Sequence, residues 1–225
     1  MRMYGASVLQ ALRELCDRFE AWLVADEVFT GYGRTGPMWA CEHAGIAPDL
    51  MCIGKVFSSI IPMGAVLATD RVFDAFRGGR ARAFLHGHTF CGNPLGAALA
   101  REVLAIYRDE HVLEQVARKA TLIARAFDGI RALPGVARVR TLGMIGAADL
   151  VDDEGEAGYL GGIGWRVYDE ARKRGAYLRP LGSTVYVAPP LTIGEDDLQS
   201  LLSILHESIR TITGGSGGNR SAQSG

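Results

Sequence analysis

A chain of 225 residues with 48% hydrophobic and 22% charged side chains has an ordinary globular composition, and its length suits one large domain or two smaller ones. Its net charge of −1 and the lack of a basic stripe interleaved with aromatics argue against nucleic acid or an anionic membrane surface as partners. No apolar stretch approaches the ~20 residues that span a bilayer, and Cys16, Cys41, Cys52 and Cys91 are scattered without a CxxC pair, which argues against a disulfide framework or zinc site.

From Ala6 to Ala21 the residues Val8, Leu9, Leu12, Leu15, Cys16 and Phe19 recur at helical spacing and predict an amphipathic helix. An apolar run follows, Ala21 to Ala25, with the length of a buried strand, and it ends on Asp26-Glu27. The connection from Val28 to Pro48 contains Gly31, Gly33, Gly36 and Gly45. A loop of that length inside a compact domain is usually functional. A second strand-like run, Leu50 to Gly54, ends on Lys55. The next, Gly64 to Ala68, begins only nine residues after Lys55, across a stretch with Pro62 and no helical pattern. A parallel crossover needs about a dozen residues or more, so the third strand is expected to run antiparallel to the second.

Helical patterns then cover Arg71–Phe76, Pro94–Asp109 and Val112–Ala132, the last stopped by Pro134-Gly135. Strands are expected at Val136–Leu142, Ile145–Leu150, Ala176–Arg179 and Thr184–Val187, with helices near Gly164–Arg174 and Asp196–Thr211. That mixed order suggests a small α+β domain. The expected organisation is a large domain over 1–112, a small C-terminal domain over 113–213, and a disordered Gly/Ser-rich tail over 214–225. The start of the chain lacks a signal-peptide profile, so the cytoplasm is the default compartment.

Three places carry chemistry. Asp26 and Lys55 each close a buried-strand run, and in open α/β sheets ligands bind at the carboxyl ends of the strands. An amine and a carboxylate there suit a Schiff-base cofactor; two residues alone are equally compatible with an ion pair at a sheet edge. The stretch Phe84 to Pro94 contains His86-x-His88, too few ligands to indicate a metal, so none is expected. It also places Thr89 just before Asn93-Pro94, which reads as a helix N-cap and first turn. The third place is Arg179, which by itself reads as an ion-pair or surface residue.

The order of residues across these segments resembles the signature of the class III, pyridoxal-phosphate-dependent aminotransferases. The residues that carry it are the acidic pair Asp26-Glu27, the loop Gly31-x-Gly33-Arg34-Thr35-Gly36, and Asp49 before the strand that delivers Gly54-Lys55. The resemblance implies an α/β, fold-type I transferase: part of a large domain with a mixed, mostly parallel sheet, followed by a small α+β domain. It implies pyridoxal 5′-phosphate as cofactor, with Lys55 as the lysine that bonds it and moves the substrate proton. Asp26 would keep the ring nitrogen protonated, and Val28 would pack on the ring face. His88 and Thr89 fall among the cofactor-binding positions, with the threonine reaching the phosphate of a neighbouring subunit, so a homodimer with its active site at the interface is implied. Arg179 would bind a substrate carboxylate, with Tyr186 beside it.

The wording from Arg179 to Pro190 (Arg-Pro-x-Gly-x-x-x-Tyr-x-x-Pro-Pro), together with Ala40 to Asp49 and His86 to Phe90, most resembles one subgroup. That subgroup makes 7,8-diaminopelargonate in biotin synthesis, S-adenosylmethionine giving the amino group to 8-amino-7-oxononanoate. An ω-amino-acid:pyruvate-type transaminase is the alternative within the family; either way the partners are a small amino donor and a keto acceptor. Two departures accompany the resemblance. Phe57-Ser58-Ser59-Ile60-Ile61-Pro62 stands where the family has a glycine pair after the lysine. The match also covers only the C-terminal part of such an enzyme, without the Gly-Ser turn that cradles the phosphate and the aromatic that stacks on the ring. A further expectation is therefore a chain that is not catalytic alone and needs a separate N-terminal half. A sheet lacking strands would also expose an edge and an apolar face.

Overall fold

In the computed structural model, which describes residues 1–56, 60–151 and 162–214, the chain forms two units: Tyr4–Glu114, and Met1–Met3 together with the chain from Gln115 onward. Residues 57–59, in the segment that replaces the glycine pair, lie outside the described residues, as does the expected disordered tail apart from Gly214.

The first of these, Tyr4–Glu114, opens with α1 (Ala6–Arg18), three residues shorter than its apolar pattern. Glu20 takes a left-handed conformation at φ 52°, and the Ala21 N–H donates to the Cys16 carbonyl at 2.8 Å, which closes the helix as a Schellman motif. Strand β1 (Val24–Asp26) pairs in parallel with β2 (Leu50–Ile53), which pairs antiparallel with β3 (Ala65–Ala68). The sheet is mixed, in the order β1-β2-β3, and the short connection to β3 reverses the chain as its length requires. Short α2 (Asp70–Asp74) follows, then α3 (Pro94–Asp109), where Pro94 occupies the first turn and Asn93 Oδ1 accepts the Leu95 N–H at 2.9 Å.

Asp49 ties this unit together. Its Oδ2 accepts the Leu23 N–H at 2.8 Å and an Arg13 guanidinium N–H at 2.8 Å, and its carbonyl accepts the Thr69 N–H at 3.0 Å. The Leu23 N–H and then Arg13 hold its carboxyl below the usual carboxylate range. The apolar core is small: Tyr32 and Ile53 are buried, with Met38, Trp39, Met51, Met63 and Val103 packed on them. Val8, Leu12 and Leu15 of α1 and Phe19 just past its end stay exposed, as do Val24, Val66 and Leu67 on the sheet. The expected open apolar face is present.

In the other unit, helix α4 (Val112–Arg131), whose first turn still belongs to Tyr4–Glu114, leads into an antiparallel meander of β4 (Val136–Leu142), β5 (Ile145–Leu150) and β6 (Thr184–Val187). Helices α5 (Ile163–Lys173) and α6 (Glu195–Gly214) complete it. Val116, Ile123, Phe127 and Ile130 of α4, Val167 and Ala171 of α5, and Leu198, Leu205 and Ile209 of α6 are fully buried at helical spacing. Across the sheet, Arg140 on β4 forms a bidentate pair with Asp149 on β5 at 2.7 and 2.8 Å, and the Thr184 hydroxyl donates to the same carboxylate at 2.7 Å. Arg140 Nε also donates to the Met1 carbonyl at 2.6 Å, which fastens the first residues to this unit.

One expected strand is absent. Ala176, Leu178 and Pro180 are buried while Tyr177 and Arg179 are exposed, so the alternation is real, yet Ala176–Arg179 joins no ladder. The free edges of this sheet are those of β4 and β6, and Pro180 has no N–H to offer to either.

Candidate active site

Parallel pairing sets Asp26, the last residue of β1, beside Cys52 of β2, and Lys55 follows three residues on. The carboxylate and the amine therefore emerge at the same end of adjacent strands. Between them Gly54 is buried; a Cβ there would sit 3.6 Å from Val28 Cγ1, so the valine covers the backbone that leads into Lys55. The Val28 N–H donates to Asp26 Oδ1 at 3.0 Å and fixes the carboxylate. Lys55 is exposed and left-handed at φ 56°, with Nζ 4.9 Å from the centroid of the Phe29 ring. Asp26, Val28 and Lys55 thus lie at one end of β1 and β2.

The loop beyond is held by Glu27. This residue is 2% exposed; its N–H donates to the Cys52 carbonyl at 2.9 Å, and its carboxylate accepts the Cys41 N–H at 3.0 Å and the Thr30 hydroxyl. Burial first, and the Glu27 carboxylate second, push the Cys41 thiol up to about 11. Gly31 is required here, since a Cβ would stand 2.9 Å from both the Glu27 carbonyl and the Trp39 ring. The Tyr107 hydroxyl donates to the Tyr32 carbonyl at 2.7 Å, and burial raises both phenols to about 12.

His88 and Thr89 lie on the exposed approach to α3, on a different element from the strand ends that carry Asp26 and Lys55. His88 folds this approach on itself: its Nδ1 accepts the Phe90 N–H at 3.1 Å and its carbonyl accepts the Cys91 N–H at 2.9 Å. With Pro62, Met63, Phe90 and Asn93 it lines a cavity of 670 Å³. Among the described residues no group of three histidine, cysteine or acidic side chains is placed to hold a metal, and no helix is long and apolar enough to cross a membrane.

Arg179 and Tyr186 belong to the other unit, on the arms of one tight turn. The Leu181 N–H donates to the Thr184 carbonyl at 2.8 Å and the Thr184 N–H returns to Leu181 at 3.1 Å, with Gly182 left-handed at φ 59°. Arg179, exposed, lies two residues before this turn, and Tyr186, half-buried on β6, two residues after it. The turn rests on the start of α5, where a Cβ on Gly164 would fall 2.0 Å from the Gly182 carbonyl oxygen. Sequence reasoning assigned no role to Gly164 or to Phe29. An aromatic three residues beyond a strand-terminal acid is the one local signal that pointed to the latter.

The model of the family Aminotransferase class-III matches residues 1–209. A relative from Geobacter sulfurreducens, named adenosylmethionine-8-amino-7-oxononanoate aminotransferase, is 41% identical over 213 residues, covering 92% of this chain and 47% of its own length. The crystal structure of the protein of that name from Methanocaldococcus jannaschii superposes with a TM-score of 0.84 at 30% identity, over 90% of this chain and 49% of that one. An amine transaminase from an uncultivated Pseudomonas species, solved in its pyridoxal-phosphate-bound form, gives 0.83 at 33% identity, over 92% and 48%. The chain spans about half the length of the curated relatives it matches.

Proposed function

This chain belongs to the class-III aminotransferases, pyridoxal-phosphate-dependent transferases of fold-type I, and we propose that Lys55, Asp26 and Val28 are its contribution to an amino-transfer site. The observation that carries the reading is the parallel register that delivers a carboxylate and an amine to one end of β1 and β2, with Val28 covering Gly54 between them. The donor set fits the cofactor: an amine for its aldehyde, a carboxylate already oriented by a backbone N–H for its ring nitrogen, and an isopropyl group for its ring face.

When bound, the cofactor supplies an electron-withdrawing ring that makes the carbon next to the substrate nitrogen acidic. Lys55 Nζ, as the neutral amine, is the base that removes the proton from that carbon and returns it in the reverse half of the exchange. Asp26 supplies the negative charge that favours a protonated ring nitrogen. Arg179 offers a bidentate guanidinium to a substrate carboxylate and Tyr186 a hydroxyl. Thr89 is assigned to the cofactor phosphate of a second copy of the chain, in a homodimer, and His88 to cofactor binding. The four free cysteines suit the cytoplasm.

The substrates we propose are S-adenosylmethionine as donor and 8-amino-7-oxononanoate as acceptor, on the strength of the relatives' printed name and the Arg179-to-Pro190 wording. A donor of the simple-amine class is the second reading, favoured by the 33% identity to the Pseudomonas amine transaminase. The amine is tested on the purified chain with pyridoxal phosphate, and the donor on the enzyme completed by an N-terminal half. A visible band beyond that of the free cofactor should form, and Lys55→Ala should lose it; a band that survives the substitution overturns the assignment of the amine. Bleaching of the band by S-adenosylmethionine supports the first donor, and bleaching by alanine or an ω-amine alone supports the second.

A further inference from the structure

We infer that Phe29 is a positioning residue for the Lys55 amine, holding it as an ammonium over its ring face whenever the amine is not covalently engaged. The inference deepens the reading of Lys55 given above and takes its functional meaning from that reading. Nζ lies 4.9 Å from the ring centroid, inside the ~6 Å range in which the negative face of an aromatic attracts a cation.

Both partners of this contact are fixed from behind. On the ring side, the turn is tied by Val28 N–H to Asp26 Oδ1 at 3.0 Å, by Gly31 N–H to the Glu27 carbonyl at 2.9 Å, and by the Thr30 hydroxyl to the Glu27 carboxylate. On the lysine side, Gly54 is buried, the Val56 N–H donates to the Gly54 carbonyl at 2.7 Å, and Lys55 is held left-handed at φ 56°. Phe29 is 40% exposed and lies outside the core of this unit, which is built on Tyr32 and Ile53. Of the other charged groups on the turn, Asp26 gives one oxygen to Val28, and Glu27 is turned inward to Cys41 and Thr30.

The consequence is chemical. A ring face stabilises the ammonium and does little for the neutral amine. Only the neutral amine has the lone pair that attacks an aldehyde or takes a proton from carbon. Phe29 therefore keeps the amine directed at the strand end shared with Asp26.

The chain has three lysines, which makes a competitive labelling experiment clean: Lys55, the buried Lys119, and Lys173, exposed on α5 in the other unit. The full chain, without cofactor, is treated at neutral pH with a trace of isotopic acetic anhydride. Each neutral amine that reacts becomes an acetamide and releases acetate and a proton; peptide mass spectrometry gives the Lys55 to Lys173 ratio. Phe29→Leu should raise that ratio about two- to five-fold, the size of an exposed cation–π contact. Phe29→Tyr should leave it in place, and Phe29→Trp, with the stronger π face, should lower it. Equal ratios for leucine, phenylalanine and tryptophan, or a rise with tryptophan, overturn the proposal. The tryptophan comparison decides it if the leucine variant does not fold. A cofactor band that survives Lys55→Ala, with the labelling order intact, would instead overturn the reading of Lys55 and leave the ring–amine contact standing.

Discussion

Replacing Gly164 by alanine tests the support of the Arg179 turn. The new Cβ would lie 2.0 Å from the Gly182 carbonyl oxygen and 2.8 Å from Pro180 Cβ. Side-chain carbons do not approach other atoms closer than 3.0 Å, and the nearest obstacle is backbone, so the turn must retreat by about 1 Å. Overpacking of this kind costs about 1–3 kcal/mol. Alanine's better helix propensity returns at most about 1 kcal/mol, and less in the first turn of α5. The net loss is about 1–2 kcal/mol, and each kcal/mol lowers the melting temperature of a unit this size by about 4–8 °C. Thermal unfolding followed by circular dichroism reads this directly. In an enzyme completed by an N-terminal half, the displaced turn should also raise KM for a carboxylate-bearing substrate more than it lowers kcat, since binding is what Arg179 is proposed to do. A variant that melts at or above the parent temperature would refute the close approach of α5 to the turn.

Two further perturbations probe the scaffold. Asp49→Asn removes the charge that engages Arg13 and Leu23 N–H, at a cost of about 1–2 kcal/mol at pH 7. Because the folded carboxyl titrates below its ordinary value, its stabilisation is present above the unfolded value near 3.9 and is lost as pH falls through the folded one. Urea midpoints of parent and variant should therefore draw together as the pH falls below the usual carboxylate range and separate at pH 7; a gap that does not change with pH sinks the argument. Gly146→Ala places a Cβ 2.3 Å from the Phe127 ring. Combined with Phe127→Leu it should destabilise by less than the sum of the single changes, with a coupling of about 0.5–3 kcal/mol, and strict additivity would count against the contact.

What was legible in the sequence was what local chemistry decides. The nine residues between Lys55 and β3 forbade a parallel crossover, Asn93-Pro94 announced the start of α3, and the charged ends of two apolar runs marked the strand edge that now carries Asp26 and Lys55. What stayed hidden depends on backbone conformation or on partners distant in the chain. Nothing in Glu20 signals that it will turn left-handed and end α1. Alternating burial at Ala176–Arg179 read as a strand, although alternation reports one-sided packing and not a ladder partner. The tie from Arg140 to Asp149, Thr184 and Met1 crosses three strands and the start of the chain, and no spacing rule reaches that far. Phe29 was visible as a loop aromatic, but its hold on the amine exists only once the turn is folded.

The left-handed backbone at Lys55 has a consequence for how this position behaves under mutation. A lysine there carries a conformational cost of about 1–2 kcal/mol, which glycine would escape and asparagine would largely avoid. Drift at residue 55 is thus biased toward residues that fold more easily and have no amine. A library of variants sorted for thermal resistance alone should be depleted of lysine at this site and enriched in glycine and asparagine. The same library sorted for reaction with an aldehyde should return lysine. On the role proposed for Lys55, its amine is held on a backbone that would favour a residue without one.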